Sequence, residues 1–277
     1  MNRRVEIDTR EVRRIILRQS RRANVGHIGS CLCVVEILAA LYSGILRIER
    51  PDDANRDRFI FSKGHAGLAL YATLALAGWL TPDDLDTFCG EGSALGVHPE
   101  PITAGVDFAT GSLGHGLSVA AGAALAARMQ FSARQIYCLI SDAEFNEGST
   151  WEAAMFAAHH GLANLTVIAD MNGQQAFGRT QDVIAVPNPR ERWEAFGWQA
   201  SEVDGHSVHA LQAAMRAQSG NAPHILLART TFGKGVRYMQ SGEAISQTHL
   251  ATQAINWHYL PMSAEEFRMA LDEVDAS

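Results

Sequence analysis

Two uninterrupted apolar runs, "QIYCLIS" at 135–141 and "NLTVIAD" at 164–170, constrain this chain more than any other feature. Neither alternates polar with apolar residues, so neither suits a strand with one wet face. Such runs belong to strands covered on both faces, as in a parallel sheet. Between them lies "EGSTWEAAMFAAHHGLAN". Ser149 and Glu152 have the S-x-x-E spacing of a helix capping box, and Gly161 stands where a helix end favours glycine. The unit is therefore strand, loop, capped helix, strand, with a right-handed crossover.

The rest of the chain extends this pattern. Helices are expected over 8–22, over 31–46 as one buried helix, over 66–77, and from the proline of "TPDDLDTFC". A glycine-rich turn, "TGSLGHG", feeds an Ala-rich helix. Strands are expected at Arg58–Ser62 and in "WQASEVDG" and "HILLART". Strands spaced by helices give an α/β fold, a parallel sheet flanked by helices. One domain is expected over 1–277, with a helical N-terminal segment of about 1–50 and a C-terminal extension of about 240–277.

Composition removes several function classes. A net charge of −7 argues against nucleic acid and acidic membranes as partners. No apolar run is long enough to span a bilayer. The Arg-rich start is interrupted by Glu6, Asp8 and Glu11, which transit peptides avoid, so it reads as a leading helix. Cys31, Cys33, Cys89 and Cys138 lack paired C-x-x-C spacing and read as buried thiols of a reducing cytoplasm.

The first apolar run ends in "SDAEFNEG", which places Asp142, Glu144 and Glu147 at the end of a buried strand. Carboxylates there cost desolvation and repel one another unless a positive group sits among them. Neighbouring parallel strands end on one edge, so Asp142 and Asn172 can meet where open α/β sheets bind ligands. A carboxylate, a carboxamide and a main-chain carbonyl are hard oxygen ligands of the kind magnesium prefers. Asp and Asn after strands also cap turns, and that reading stands beside the first. The glycine turn supplies backbone N–H groups suited to an anion. Together these features point to a diphosphate held through a metal ion.

His27, His65, His98 and His115 all lie beside glycine or in turn-rich settings. They read either as structural residues or as a polar pocket that handles protons and hydroxyls. No zinc spacing is present. Of 23 basic residues only Lys63 and Lys234 are lysine, each before glycine. Either chance left these two, or a slim, flexible ammonium is needed at those positions.

In order along the chain, "VGHIGSCLCVVEILAALY", "FSKGHAGLALYATLALAG", "VHPE", "TGSLGHGLSVAAGAALA", "SDAEFNEGSTWEAAMFAAHHGLANLTVIADMNGQQAFG" and "TTFGKGV" resemble the N-terminal half of transketolase. The resemblance covers nearly the whole chain and implies the thiamine diphosphate-binding fold of that family. It implies Asp142, Asn172 and the Gln174 carbonyl as ligands of Mg2+, or of another divalent cation such as Ca2+ or Mn2+. Gly111 and Leu113 correspond to backbone contacts to thiamine diphosphate, with Ala143 in the same loop. His27, His65, His98 and His249 correspond to residues lining the substrate channel or the cofactor, and Glu147 to an acid near a subunit interface. Glu144 is expected near the solvent edge, without a role.

Three positions depart from the family's pattern. Ile28 in "GHIG" replaces the proline of its G-H-P-G, losing a rigid turn while keeping His27. Ser141 and Ala143 stand where its signature has glycine, and a glycine-only dihedral would be strained at Ala143. The resemblance stops before the pyrimidine-binding domain. It therefore implies the N-terminal subunit of a split transketolase, working with a C-terminal subunit, two copies of each forming a heterotetramer, on a sugar or sugar-phosphate substrate. The alternatives are the α subunit of a thiamine-dependent 2-oxoacid dehydrogenase and a non-catalytic cofactor-binding remnant.

Overall fold

The computed structural model describes residues 5–218, 220–240 and 257–277. Helix α1 (Thr9–Ala23) opens on Asp8, whose carboxylate accepts from the amides of Arg10 and Glu11, and closes on Asn24 in the left-handed region. The single buried helix expected over 31–46 is two helices, α2 (Ile28–Leu32) and α3 (Val35–Gly44). The break falls at Cys33–Val34. There the Gly29 carbonyl accepts from both the Cys33 amide and the Gly233 amide, which ties α2 to a loop far along the chain.

Strand β1 (Arg58–Phe61) leads into α4 (Gly67–Leu76) and α5 (Pro82–Leu85), the latter started by a Thr81–Asp84 capping box. Then come α6 (His115–Met129), β2 (Ile136–Ser141), α7 (Gly148–His159) and β3 (Leu165–Met171). Gly161, at a φ of +55°, ends α7 as expected. The capping box does not form where the sequence led us to expect it. Glu147 occupies the N-cap of α7, and the Ser149 hydroxyl donates to the Gly114 carbonyl at 2.9 Å. The box forms instead at Ser141 and Glu144, which share the S-x-x-E spacing.

A small hairpin, β4 (Gln174–Gln175) and β5 (Gly178–Arg179), precedes α8 (Thr180–Ile184) and α9 (Pro189–Ala195). Strand β6 (Gln199–Asp204), α10 (Val208–Arg216) and β7 (His224–Arg229) complete the α/β alternation. The C-terminal helix Ala264–Ala276 packs on α1, where Arg14 and Asp275 pair at 2.6 Å.

The five long strands form one parallel sheet in the order β1-β2-β3-β7-β6. Its two faces are split residue by residue. Phe59, Phe61, Tyr137, Leu139, Ile168 and Leu226 face a core built with α1 to α4 and α10. Ile60, Cys138, Ile140, Val167 and Ile225 face the other core, built with α6, α7 and Trp193. Each fully buried aliphatic side chain stabilises by about 1.5–3 kcal/mol, and the two-sided burial explains the unbroken apolar runs. Cys31, Cys33 and Cys138 are buried as expected, but Cys89 is exposed, in the turn after α5. Among the described residues no helix is long and apolar enough to cross a membrane.

Candidate cofactor and metal site

Ser62, Asp142, Asn172 and Thr230 follow β1, β2, β3 and β7 directly, so four adjacent strand ends deliver polar groups to one edge. Asp142 is buried. Its Oδ2 accepts from the Gly173 amide at 2.8 Å and from Thr180 Oγ1 at 3.2 Å. Its Oδ1 is buried with no partner among the described residues. Burial, and then the nearby Asp170, push its carboxyl up to about 7. A buried carboxylate oxygen left without a donor is costly, and a cation would satisfy it.

Asn172 follows β3 and precedes Gly173, whose amide reaches Asp142. Its Oδ1 accepts from the Gln174 amide at 2.8 Å and its Nδ2 donates to Asp170 Oδ2 at 2.7 Å. The bonds donated by the Gly173 and Gln174 amides bring Asp142 beside the segment 172–174, whose oxygens are of the hard kind a divalent cation prefers. Asp170 itself forms a buried ion pair with Lys63, Nζ to Oδ2 at 2.5 Å. Burial alone would raise the Asp170 carboxyl, but the Lys63 ammonium outweighs it and holds the group below its ordinary value. One of the two lysines singled out by composition therefore has a buried partner. The other, Lys234, contributes its backbone carbonyl, which accepts from Arg13 Nε at 3.1 Å.

Glu144, expected near the solvent edge, is fully buried. Its Oε1 accepts from the Gly114 amide at 3.0 Å and from the Ser62 hydroxyl, and its Oε2 from the Ser141 amide at 2.8 Å. Burial pushes its carboxyl up while these donors oppose the shift. Glu144 therefore clamps the glycine turn to the ends of β1 and β2. Replacing it by alanine should destabilise the protein by about 3 kcal/mol in urea unfolding, since two buried amides lose their acceptor at about 1–3 kcal/mol each.

This clamp narrows the anion cradle. The Gly114 and Gly116 amides are taken by Glu144 and Ser62 Oγ. None of the hydrogen bonds among the described residues uses the amides of Gly111, Ser112 or Leu113. Gly111, at a φ of +142°, lies where a Cβ would come within 2.7 Å of the His98 ring, so no side chain fits there. Ala143 sits in the short 3-10 turn Asp142–Asn146 and is not among the residues with positive φ, so the strain expected there is absent.

His27 and His65 meet at the same edge, with ring centroids 5.4 Å apart. A third ring joins them: His258 lies 5.1 Å from His65 and 5.5 Å from His27. Sequence reading passed over His258. His27 Nδ1 and His65 Nε2 are buried without partners among the described residues. Burial pushes both rings down, His65 well down, with Lys63 adding to the effect, and His258 is pushed down to about 3. Three neutral rings can each donate and accept. His98 is exposed at the rim beside Gly111. His115 is the exposed first residue of α6 and takes no part in the ring cluster. Glu147 is exposed, with its Cβ near Gly114. His249 lies outside the described residues.

Residues 6–267 match the family described as transketolase, thiamine diphosphate binding domain. The chain belongs to the transketolase family. Its relatives include one subunit of the apulose-4-phosphate transketolase of Phocaeicola vulgatus, 37% identical over 98% of this chain and 93% of that protein. They also include a 6-deoxy-6-sulfo-D-fructose transketolase subunit of Clostridium sp., 38% identical over 95% of this chain and 94% of that protein. Human transketolase is 37% identical over 91% of this chain, which spans only 39% of that protein. The fold agrees. The crystal structure of Campylobacter jejuni transketolase superposes with a TM-score of 0.87 at 30% identity, covering 99% of this chain and 43% of that one. The α/β sheet described above is thus the diphosphate-binding domain of a family of ketol-transferring enzymes.

Proposed function

We propose that this chain is the diphosphate-binding subunit of a two-component transketolase. It would transfer a two-carbon ketol unit from a ketose or ketose phosphate to an aldose, together with a separate subunit that carries the pyrimidine-binding domain, two copies of each. The observation that carries the metal site is the buried, unpartnered Asp142 Oδ1 beside Asn172 and Gln174. These three would hold Mg2+, or Ca2+ or Mn2+ in its place, and the amides of Gly111 and Leu113 would meet the diphosphate. Thiamine diphosphate, when bound, supplies the carbon nucleophile and electron sink that ketol transfer needs.

The chain's own residues would do the rest. His27 Nδ1 and His65 Nε2, buried and without partners among the described residues, would bind sugar hydroxyls and pass protons at them. His258 and the rim residue His98 would orient the sugar and move protons at its oxygens. His249 is proposed for the same channel on resemblance alone, and Glu147 for a contact between subunits. The two-component arrangement is supported by the two relatives named as subunits, which this chain matches over almost their whole length. The remnant reading loses its main support, since Ala143 is unstrained.

The test is ketol transfer from xylulose 5-phosphate to an aldose acceptor, assayed with this chain alone and with its partner. Turnover is expected only in the mixture, and only with thiamine diphosphate and a divalent cation. Full activity from this chain alone would overturn the two-component reading. No transfer from the mixture with any ketose or ketose phosphate donor would overturn the reaction.

A further inference from the structure

The Lys63–Asp170 ion pair is 1% and 0% exposed. Burying two charges is expensive, and an apolar pair of the same volume often serves stability as well or better. A pair so placed calls for a task other than stability, and the Asp170 hydrogen bonds identify one. Asp170 Oδ2 lies 2.5 Å from Lys63 Nζ, 2.7 Å from Asn172 Nδ2 and 3.1 Å from Cys33 Sγ, while Oδ1 accepts from the Thr230 hydroxyl. Lys63 Nζ also donates to the Ser30 carbonyl at 3.2 Å and lies 3.1 Å from Cys33 Sγ.

An ionised carboxylate only accepts hydrogen bonds. Beside Asp170, the Asn172 carboxamide must therefore point its NH2 inward. Its oxygen is turned the other way, to the side where the Gln174 amide donates to it. The choice matters because a carboxamide ligates a hard cation through oxygen and never through its NH2. We propose that the Lys63–Asp170 pair is a positioning device: it locks the Asn172 carboxamide in the one orientation that presents oxygen to the cation. Lys63 keeps Asp170 an acceptor, and Asp170 sets Asn172. Neither is one of the proposed ligands. The proposal rests on the reading of Asp142 and Asn172 as cation ligands.

Two uncharged replacements separate positioning from stability. Lys63→Met with Asp170→Leu removes both charges and leaves Asn172 no acceptor. Lys63→Met with Asp170→Asn also removes both charges but returns a carbonyl oxygen for Asn172 Nδ2. Mn2+ is titrated into the assembled two-component enzyme with thiamine diphosphate, and free Mn2+ is read by electron paramagnetic resonance. Thermal melts of each variant report the fold. The Leu variant is expected to bind Mn2+ about 10–100-fold more weakly, the usual effect of losing an outer partner of a metal ligand. The Asn variant is expected to recover affinity close to wild type.

A Leu variant that binds as wild type does, or an Asn variant weakened as much as the Leu one, would overturn the positioning role while leaving the metal site standing. Wild-type protein that takes up no Mn2+ would instead overturn the metal site, and the positioning role with it. Should the Leu variant fail to fold, Asp170→Ala with Lys63→Met also lacks an acceptor and must show the same loss.

Discussion

Asp142→Ala and Asn172→Ala should each abolish cation-dependent binding of thiamine diphosphate while leaving the protein folded. Asp142 Oδ1 has no partner to lose among the described residues, so its removal breaks only the bonds from the Gly173 amide and the Thr180 hydroxyl to Oδ2. Removing the carboxylate also ends the desolvation that raises its carboxyl to about 7. The two effects on stability oppose each other, and the net change should stay within about 1–2 kcal/mol. The effect on the cation is not offset. Magnesium draws its affinity from a small number of protein oxygens, and this site offers one carboxylate. Calorimetry of thiamine diphosphate binding to the assembled enzyme, with and without Mg2+, measures the loss. Undiminished Mg2+-dependent affinity in both variants would place the cation elsewhere.

The difference between what could be read from the sequence and what could not follows from range of interaction. Strands β2 and β3 were legible because burial on both faces leaves no polar position in "YCLI" or "TVIA" apart from Thr166, and few other structures use such runs. Asp142 and Asn172 were legible because strand parallelism alone brings their positions to one edge. The break between α2 and α3 was not. Residues 35–42 are buried on every side, so the helix has no polar stripe whose phase could show the interruption.

The two S-x-x-E patterns, at 141 and 149, are equivalent locally. Only Ser62 and Gly114, brought in by the fold, favour Glu144 as the clamp. Glu144 looked like a surface acid for the same reason: the donors that make its burial tolerable come from 30 and 82 residues away. The signal for Lys63 was its rarity, which marked the position without naming its partner, Asp170, 107 residues later. His258 lacked even that. Its neighbours, Trp257 and Tyr259, gave the stretch an aromatic character that does not distinguish a pocket wall from core.

His65→Ala should lower turnover of the assembled enzyme by about 100- to 10,000-fold, the range expected when a group that moves protons in the transition state is removed. The ring is partly buried against His27 and His258 in the turn after β1, and its Nε2 is buried with no partner among the described residues. A buried nitrogen without a partner costs stability rather than adding to it. The ring's apolar contacts add some back, so the variant should melt within a few degrees of wild type, corresponding to about 1 kcal/mol or less. Burial and the nearby Lys63 keep the ring neutral, so alanine removes no ion pair. His65→Gln keeps a donor and an acceptor at a similar reach and should recover part of the substrate affinity without recovering proton transfer. The expected signature is therefore a large fall in kcat for both variants, with KM raised more by alanine than by glutamine. A variant that melts far below wild type while each folded molecule turns over normally would make His65 a packing residue and leave the proton chemistry to His27 and His258.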